Sequence, residues 1–527
     1  MIRTLIALPA LLLATALPAA ADLPKGFAER VETLRQQSGA PGIAIAVVEK
    51  GKVELAQGWG TTKLGGTQKV DADTIFQTGS TGKAFTAAAL AILVDRGKIK
   101  WDDRVIDHMP WFRMYDPWVT REITIRDLLV HRSGLGLGAG DLLYVPRGSL
   151  SRKETVKRLA HIQPATSFRS GYAYDNILYS VAGQLIEEVS GKSWEDFMAQ
   201  DVFAAGGMTS ATANYESRLA NPNRAHPHAR IGGAVRGDGP VSMLDERAAE
   251  LGRAALPAGG LALSANDLAR WLQIQLGKGA LPGGGRLFSA AQSAEMWKGV
   301  TLQPISQMPG QLAPLTPNFS SYALGWSVTD YRGVRVIAHG GAVFGAIAYV
   351  ILLPDHDVGI AGVVNAEETA LLRGVIHTLV DHYLGAPDQD WPARFNSFIE
   401  ARITGAKAAL STTRAAPAKV GPSLSLDRYA GTYRDAWYGD VVVAKGKDGG
   451  LTIDFTTTPA MKGKLVHWQY DSFVTRFDDK SLEPAYVTFA LDAGGKVARV
   501  SMKPESPIAD FSYNYQDLDL RPVGATK

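Results

Sequence analysis

The most informative segment of this chain reads Phe76-Gln77-Thr78-Gly79-Ser80-Thr81-Gly82-Lys83-Ala84-Phe85. Residues 84–94, which follow, are helix formers, almost all apolar, in a run too long for a strand. Ser80 is therefore expected at or just inside the N-terminus of a buried helix. Because positions i and i+3 share one face of a helix, the spacing predicts that the Lys83 amine lies beside the Ser80 hydroxyl.

This pairing matches the needs of nucleophilic catalysis. A serine hydroxyl is a weak nucleophile until a neighbouring base takes its proton. A buried lysine can be that base, because burial and nearby positive charge lower its pKa. The helix N-terminus also offers free backbone N–H groups to an oxyanion. Taken alone, however, the motif is more typical of an N-cap serine followed by a solvated lysine, so the catalytic interpretation depends on other motifs.

Composition indicates a globular protein of more than one domain. The chain has 527 residues, of which 46% are apolar and 20% charged, and its formal net charge is +3. No basic stripe interleaved with aromatic residues is present, so we expect no nucleic-acid partner. The chain has no cysteine, which excludes disulfides and thiol chemistry. We also predict no cofactor and no metal, because neither a phosphate-binding loop nor a convincing ligand cluster is visible.

Residues 1–21 have the pattern of a secretory signal peptide. A short basic start is followed by an apolar stretch from Leu5 to Leu17 and by a small-residue end at 19–21. The apolar stretch is too short for an ordinary membrane anchor, and no later segment is apolar enough to span a bilayer. A secreted chain that relies on a large core instead of disulfides suits a bacterial periplasm. We therefore predict a periplasmic or secreted protein without an integral membrane span.

The order of the elements predicts an α+β fold over residues 22–385. Strands are expected at 43–56 and again at 322–364, whereas residues 101–276 are mainly helical and rich in loops. This pattern indicates one sheet assembled from both ends of the domain, with a helical subdomain inserted between them.

A second domain is expected at the C-terminus. Residues 386–424 are assigned to a helix and a linker, since 404–424 is rich in Ala, Thr, Lys, Gly and Pro and has little periodicity. Residues 425–527 contain short strands at close spacing. That spacing predicts a small antiparallel barrel or sandwich of roughly a hundred residues.

Two further motifs carry chemistry. In Tyr174-Asp175-Asn176, a tyrosine near two ammonium groups can have a lowered pKa and act as a base or proton carrier. Asn176 can hold both a lysine and a substrate amide. The second motif is His339-Gly340-Gly341-Ala342. Its histidine can carry positive charge or shuttle a proton, and the glycines after it let a backbone or ligand approach closely. Each motif alone also describes a simple turn, the first with Asn176 as an N-cap and the second with His339 on the surface.

Together, Ser80-x-x-Lys83, Tyr174-x-Asn176 and His339-Gly340-Gly341 resemble the serine β-lactamase and penicillin-binding family. The resemblance is to its class C branch, with the D-alanyl-D-alanine carboxypeptidases, D-aminopeptidases and related esterases. It covers roughly residues 25–385 and is strengthened by the flanking segments 128–135, 257–261 and 322–326. It implies a β-lactamase/transpeptidase-like antiparallel sheet flanked by helices. The C-terminal strands resemble the lipocalin-like barrel found in some secreted members.

The resemblance implies three catalytic residues. Ser80 would be the nucleophile, Lys83 its close partner, and Tyr174 a base and proton shuttle. The backbone N–H groups of Ser80 and Ala342 would form the oxyanion hole. Which of Lys83 and Tyr174 takes the first proton is left open, since two such close groups titrate as one unit.

The implied substrate-binding residues are Asn176, His339, Gly340, Gly341 and Ala342. Asn176 would orient the substrate amide, and His339 stands where the family has Lys or His. Gly340 departs from the pattern, because the family usually has Thr or Ser there, and that hydroxyl helps to bind the carboxylate of penicillins and C-terminal peptides. A lost donor to a charged group costs roughly 1.5–3 kcal/mol of binding. Gly340 therefore favours an amide or ester substrate without that carboxylate.

These observations predict a secreted serine hydrolase that cleaves an amide, peptide or ester bond through an acyl-enzyme on Ser80. One alternative is a penicillin-recognising sensor or scaffold that is acylated without turnover. Another is a true β-lactamase or D,D-carboxypeptidase. The substrate would be a small molecule or short peptide; the sequence leaves its identity and the oligomeric state open.

Overall fold

The computed structural model describes residues 23–247, 249–415 and 420–524. The predicted signal peptide at 1–21 lies outside these residues. Within the described part of the chain, no helix has the length and apolar character needed to cross a membrane.

The first domain is built on one large antiparallel sheet. In chain order the strands of this domain are β1 (Gly42–Glu49), β2 (Lys52–Gly60), β3 (Phe76–Gln77), β4 (His228–Arg230), β5 (Val241–Met243), β6 (Ala262–Leu263), β7 (Thr301–Leu302), β8 (Ser320–Tyr322), β9 (Ser327–Tyr331), β10 (Val334–Val343), β11 (Ala346–Leu353) and β12 (Val358–Val364). Four of them lie outside the large sheet, because β3 pairs with β6 and β4 pairs with β5 in two small separate sheets. The eight-stranded sheet has the order β2-β1-β12-β11-β10-β9-β8-β7. Ile43 of β1 lies opposite Val364 of β12, so the sheet joins both ends of the domain as predicted.

Helices cover both faces of this sheet and fill the insertion between β2 and β7. In chain order the α-helices are α1 (Phe27–Ser38), α2 (Lys83–Asp95), α3 (Val105–His108), α4 (Pro117–Glu122), α5 (Arg152–Arg158), α6 (Ile177–Ser190), α7 (Trp194–Phe197), α8 (Tyr215–Ala220), α9 (Leu256–Gly259), α10 (Ala265–Leu276), α11 (Ala290–Met296), α12 (Thr369–Tyr383) and α13 (Trp391–Ala415). The predicted helical insertion is confirmed, because α2 to α11 lie in it.

The central strands are buried on both faces, which explains their nearly continuous apolar sequence. Every residue of β1 and of β12 is buried. Successive side chains of a strand point to opposite faces. Ala44 and Ala46 accordingly join the core that contains α2, whereas Ile43 and Ile45 join the core that contains α12.

The predicted linker at 404–424 is wrong in its first half, because α13 continues to Ala415. Trp391 and Phe395 anchor the start of α13 in the core beside α12, and the Trp391 Nε1–H donates to Asp381 Oδ2 at 2.7 Å. The alanines of this segment favour a helix once tertiary contacts have nucleated it.

The second domain is a nearly closed antiparallel barrel. Its strands are β13 (Gly431–Asp435), β14 (Gly439–Lys445), β15 (Leu451–Phe455), β16 (Lys462–Gln469), β17 (Ser472–Phe477), β18 (Ala485–Leu491), β19 (Val497–Pro504) and β20 (Arg521–Pro522). They follow the order β19-β18-β17-β16-β15-β14-β13-β20. An isolated bridge between Val500 and Leu520 brings the two ends together. The predicted small barrel is therefore confirmed.

Candidate active site

The nucleophile motif lies at the start of a buried helix, as the sequence predicts. Residues Gly79–Gly82 form a 3₁₀ turn, and α2 begins at Lys83. The Lys83 Nζ lies 2.9 Å from Ser80 Oγ. Lys83 is fully buried, whereas Ser80 is partly exposed to the cleft. This geometry excludes the alternative of a solvated lysine.

The partners of Lys83 define where its lone pair points. Besides Ser80, its Nζ lies 2.7 Å from Asn176 Oδ1 and 3.0 Å from the backbone oxygen of Ala258. Both oxygens can only accept, so each takes one N–H from the amine. A neutral amine then has its lone pair left for the Ser80 hydroxyl proton. The three contacts therefore arrange Lys83 as a base aimed at Ser80.

The charge state of Lys83 suits this geometry. Burial lowers the pKa of Lys83 to about 7, against the opposing pull of the carboxyl groups of Asp141 and Asp175. Near neutral pH, a large fraction of the amine is consequently unprotonated, which an exposed lysine would not achieve.

Tyr174 lies beside this pair but has a different charge state from the one expected. The Lys83 Nζ is 4.6 Å from the centre of the Tyr174 ring. Burial raises the pKa of Tyr174 well above its ordinary value, although its contact with the Ser80 hydroxyl opposes this. The expectation of a lowered pKa between two ammonium groups is therefore wrong. Tyr174 is a neutral phenol that can donate and accept a proton.

His339 also departs from the expected charge. Burial lowers the pKa of His339 to about 3, and the nearby Lys83 adds to this. Its Nδ1 faces the carbonyl oxygen of Gly340, which can only accept, so Nδ1 carries the proton. Its Nε2 then accepts from the Tyr322 hydroxyl at 2.7 Å. His339 is thus a neutral, buried side chain, neither a positive charge nor a surface residue.

Two glycines let β10 pass very close to the nucleophile turn. A Cβ on Gly341 would lie 2.0 Å from the Thr78 oxygen and 3.0 Å from the Ser80 nitrogen. A Cβ on Gly79, whose φ is +53°, would lie 2.5 Å from the Ala342 nitrogen. This approach brings the backbone N–H groups of Ser80 and Ala342 near each other, as the predicted oxyanion hole needs.

Gly340 is different from its neighbour, because it has room for a side chain. A Cβ there would meet only the ring of Tyr349, at an ordinary 3.6 Å, and its φ is not positive. Gly340 is exposed to the cleft. The backbone therefore does not require glycine at position 340 and would accept a residue that carries a hydroxyl.

Asn176 links the base to a carboxyl group that sequence reasoning missed. Asn176 occupies the N-cap position of α6 but makes no capping hydrogen bond. Its Nδ2 donates to Asp141 Oδ2 at 2.8 Å, which fixes the amide with its oxygen toward Lys83. Asp141 also accepts from the Tyr144 hydroxyl at 2.6 Å and from Ser512 Oγ at 2.8 Å. Burial raises the pKa of Asp141 to about 7.

These residues meet in one cleft of about 650 Å³ between the two domains. Lys83 is fully buried and does not line the cleft. The lining includes all the other site residues predicted from the sequence, Ser80, Tyr174, Asn176, His339, Gly340, Gly341 and Ala342. The barrel contributes Phe511 and Ser512 to the wall, which no motif indicates. In the described ranges, no group of three or more acidic or histidine side chains is placed to hold a metal ion.

Residues 27–383 match the family described as Beta-lactamase. The chain belongs to this family. Residues 415–522, which contain the barrel, match a domain of unknown function, DUF3471. The recognition of the family from three motifs is thereby confirmed, while its class C branch stays a prediction.

Relatives of this β-lactamase family member include hydrolases and penicillin-binding proteins. The Unguisins hydrolase ungD of Aspergillus violaceofuscus (strain CBS 115571) is 30% identical over 453 residues, 78% of this chain and 75% of the relative. Penicillin-binding protein 4 of Amycolatopsis lactamdurans is 31% identical over 359 residues, 67% of this chain and 89% of the relative. The octameric penicillin-binding protein homologue from Pyrococcus abyssi shares the fold, with a TM-score of 0.57 at 18% identity over 90% of this chain and 97% of that structure.

Proposed function

We propose that this protein is a serine hydrolase that forms an acyl-enzyme on Ser80. The observation that carries the proposal is the Lys83 amine, fully buried, 2.9 Å from the Ser80 hydroxyl and held by two acceptors that leave its lone pair for the serine. A pure binding protein would have no need of a neutral base beside its serine.

In the first step, Ser80 Oγ attacks the substrate carbonyl carbon while its proton passes to Lys83 Nζ. The carbonyl oxygen becomes an oxyanion, which the backbone N–H groups of Ser80 and Ala342 stabilise. When the intermediate collapses, the bond to the leaving amine or alcohol breaks and the leaving group takes a proton. Water then attacks the acyl-enzyme, releasing the acid and restoring the Ser80 hydroxyl.

The charge states of Lys83 and Tyr174 suit them to different proton-transfer steps. Lys83, with a pKa of about 7, takes the first proton. Tyr174, whose pKa lies well above its ordinary value, stays a phenol and relays a proton to the leaving group. These charge states support Lys83 as the general base, in a choice between Lys83 and Tyr174 that the sequence leaves open.

For the substrate, we propose an amide, peptide or ester without the carboxylate that penicillins carry. Gly340 offers no hydroxyl to such a carboxylate, and neutral His339 offers no charge. The relatives named Unguisins hydrolase support hydrolysis of a substrate other than a penicillin.

A second candidate is a penicillin-recognising sensor that is acylated but does not turn over. The relative named penicillin-binding protein 4 favours it. Burst kinetics separate the two candidates: a hydrolase continues after the first equivalent of product, whereas a sensor stops at one equivalent. True β-lactamase or D,D-carboxypeptidase activity would appear as sustained turnover of a carboxylate-bearing substrate.

The test is a panel of chromogenic esters, D- and L-amino-acid amides and nitrocefin on the wild type and on Ser80→Ala. We expect steady turnover of a neutral ester or amide that Ser80→Ala lacks. Equal rates in both proteins would contradict the proposal. Export belongs to the proposal too, and N-terminal sequencing of protein recovered from the periplasm or medium should find a chain beginning at Asp22.

A further inference from the structure

The barrel sends one loop into the catalytic cleft. This loop, residues 508–514, lies between β19 and β20 and is called here the barrel loop. Its members Phe511, Ser512 and Tyr513 line the cleft together with Ser80. Its contacts with the first domain include a hydrogen bond from the Leu142 N–H to Asn514 Oδ1 at 3.3 Å and the edge-on packing of the Phe511 ring against that of Tyr174.

A continuous chain of hydrogen bonds joins this loop to the nucleophile. Ser512 Oγ donates to Asp141 Oδ2 at 2.8 Å, and the same oxygen accepts from Asn176 Nδ2 at 2.8 Å. Asn176 Oδ1 accepts from Lys83 Nζ at 2.7 Å, and that amine lies 2.9 Å from Ser80 Oγ. Ser512 and Ser80 therefore stand at the two ends of one network, although 432 positions separate them in the sequence.

We propose that Ser512 is a positioning residue for the reaction: it holds the Asp141 carboxylate so that Asn176 keeps its carbonyl oxygen toward Lys83. The C-terminal domain is then a part of the active site and not an appendage. This inference rests on the proposed function, since it assigns a role within the same acylation step.

The mechanism of this support is electrostatic and geometric. An ionised Asp141 only accepts, so it selects the NH₂ side of Asn176 and turns the oxygen to Lys83. Its ionised form depends on its three donors, because burial raises the pKa of Asp141 to about 7. Loss of the Ser512 donor would raise that pKa further and favour a protonated Asp141. A protonated acid can donate to the amide oxygen, which would let Asn176 flip.

The flip would remove one acceptor from Lys83, and neutralising Asp141 would remove a negative charge that raises the pKa of Lys83. The titratable groups that act on Asp141 include Lys83, Tyr144, Tyr174 and Asp510. A change at Ser512 should therefore alter the rate constant and the pH profile more than substrate binding.

The barrel loop does not depend on the Ser512 hydroxyl for its place. The backbone of the loop packs directly against Gly138, since a Cβ on Gly138 would lie only 2.7 Å from the Phe511 oxygen. Elsewhere the Ser149 N–H donates to the Thr457 oxygen at 2.9 Å, and Arg236 donates to the Ser481 oxygen across the domain boundary. We therefore expect the loop to stay docked when the Ser512 hydroxyl is removed.

The experiment compares Ser512→Ala and Ser512→Thr with Ser472→Ala, all in the full chain. Ser472 is a matched control, because its hydroxyl pairs with Thr488 at 2.9 Å in an exposed part of the barrel. We expect Ser512→Ala to lower kcat for a neutral ester by roughly tenfold, the size of one hydrogen bond to a charged group, with KM within about twofold. The acid limb of its pH profile should shift. Ser512→Thr should recover most of the rate, and Ser472→Ala should match the wild type.

A second measurement keeps the test decisive if Ser512→Ala loses stability. In a double-mutant cycle with Asp141→Asn, the removal of Ser512 should cost little further, because its partner is already altered. Independent, multiplicative losses would overturn the proposal, as would a wild-type kcat and pH profile in Ser512→Ala. Activity that survives in Ser80→Ala would overturn the proposed function as well. Loss in Ser80→Ala with full activity in Ser512→Ala would overturn only the role of Ser512.

Discussion

The pH dependence of acylation follows from the burial of Lys83. The base must be neutral to accept the Ser80 proton, and burial lowers the pKa of Lys83 to about 7. With that midpoint, about one eleventh of the amine is neutral at pH 6 and about ten elevenths at pH 8, so kcat/KM should rise roughly tenfold across this interval. The sign is fixed by the chemistry: activity is lost as the pH falls and the amine becomes charged.

The assay is kcat/KM for a neutral ester between pH 5 and 9.5 at constant ionic strength. Tyr174→Phe is the informative control. It should lower the whole profile but leave the rising limb near pH 7, because the pKa of Tyr174 is held well above its ordinary value. Asp141 and Asp175, whose pKa values burial raises to about 7, titrate in the same range, so the observed midpoint belongs to the group.

Two results would refute this reasoning. A limb with a midpoint above pH 9 would show that Lys83 behaves as an ordinary exposed lysine. A limb near pH 7 that disappears in Tyr174→Phe would assign the titration, and with it the base, to the tyrosine.

Lys83→Ala and Tyr174→Phe should each lower kcat by roughly a hundredfold or more, and the double variant should be little worse than the worse single one, since residues that act as a unit are not additive. Steady-state kinetics of the four proteins check this, and fully multiplicative losses would show independent action. The hydroxyl of Gly340→Thr should strengthen the binding of a carboxylate-bearing β-lactam by up to roughly 1.5–3 kcal/mol, because the strand there has room for a side chain. The ratio of kcat/KM for that β-lactam to kcat/KM for a neutral ester should rise accordingly. A stable, active variant with an unchanged ratio would mean that carboxylate selectivity is set elsewhere.

Local spacing allowed the centre of the site to be predicted from the sequence. Ser80 and Lys83 are three residues apart on a helix start, so their contact follows from helix geometry alone. The pattern of strands at both ends with helices between them likewise predicted one sheet shared by both ends of the domain, and the pairing of β1 with β12 confirms it. These are features of short range or of simple pattern.

Charge states and distant partners could not be predicted in this way. The neutral forms of Tyr174 and His339 result from burial by residues far away in the sequence. Asp141 meets Ser512 across 371 positions, which no motif marks. The helix α13 replaced half of the expected linker because Trp391 anchors it in the core, a tertiary contact that local composition does not reveal.

The central claim is that Ser80 carries the acyl group. Intact-mass and peptide analysis after treatment with a fluorophosphonate tests it most directly, with Ser80→Ala as the matched protein. The account predicts a single adduct on the peptide that contains Ser80 in the wild type and none in Ser80→Ala. An adduct on another serine, or equal labelling of Ser80→Ala, would contradict it.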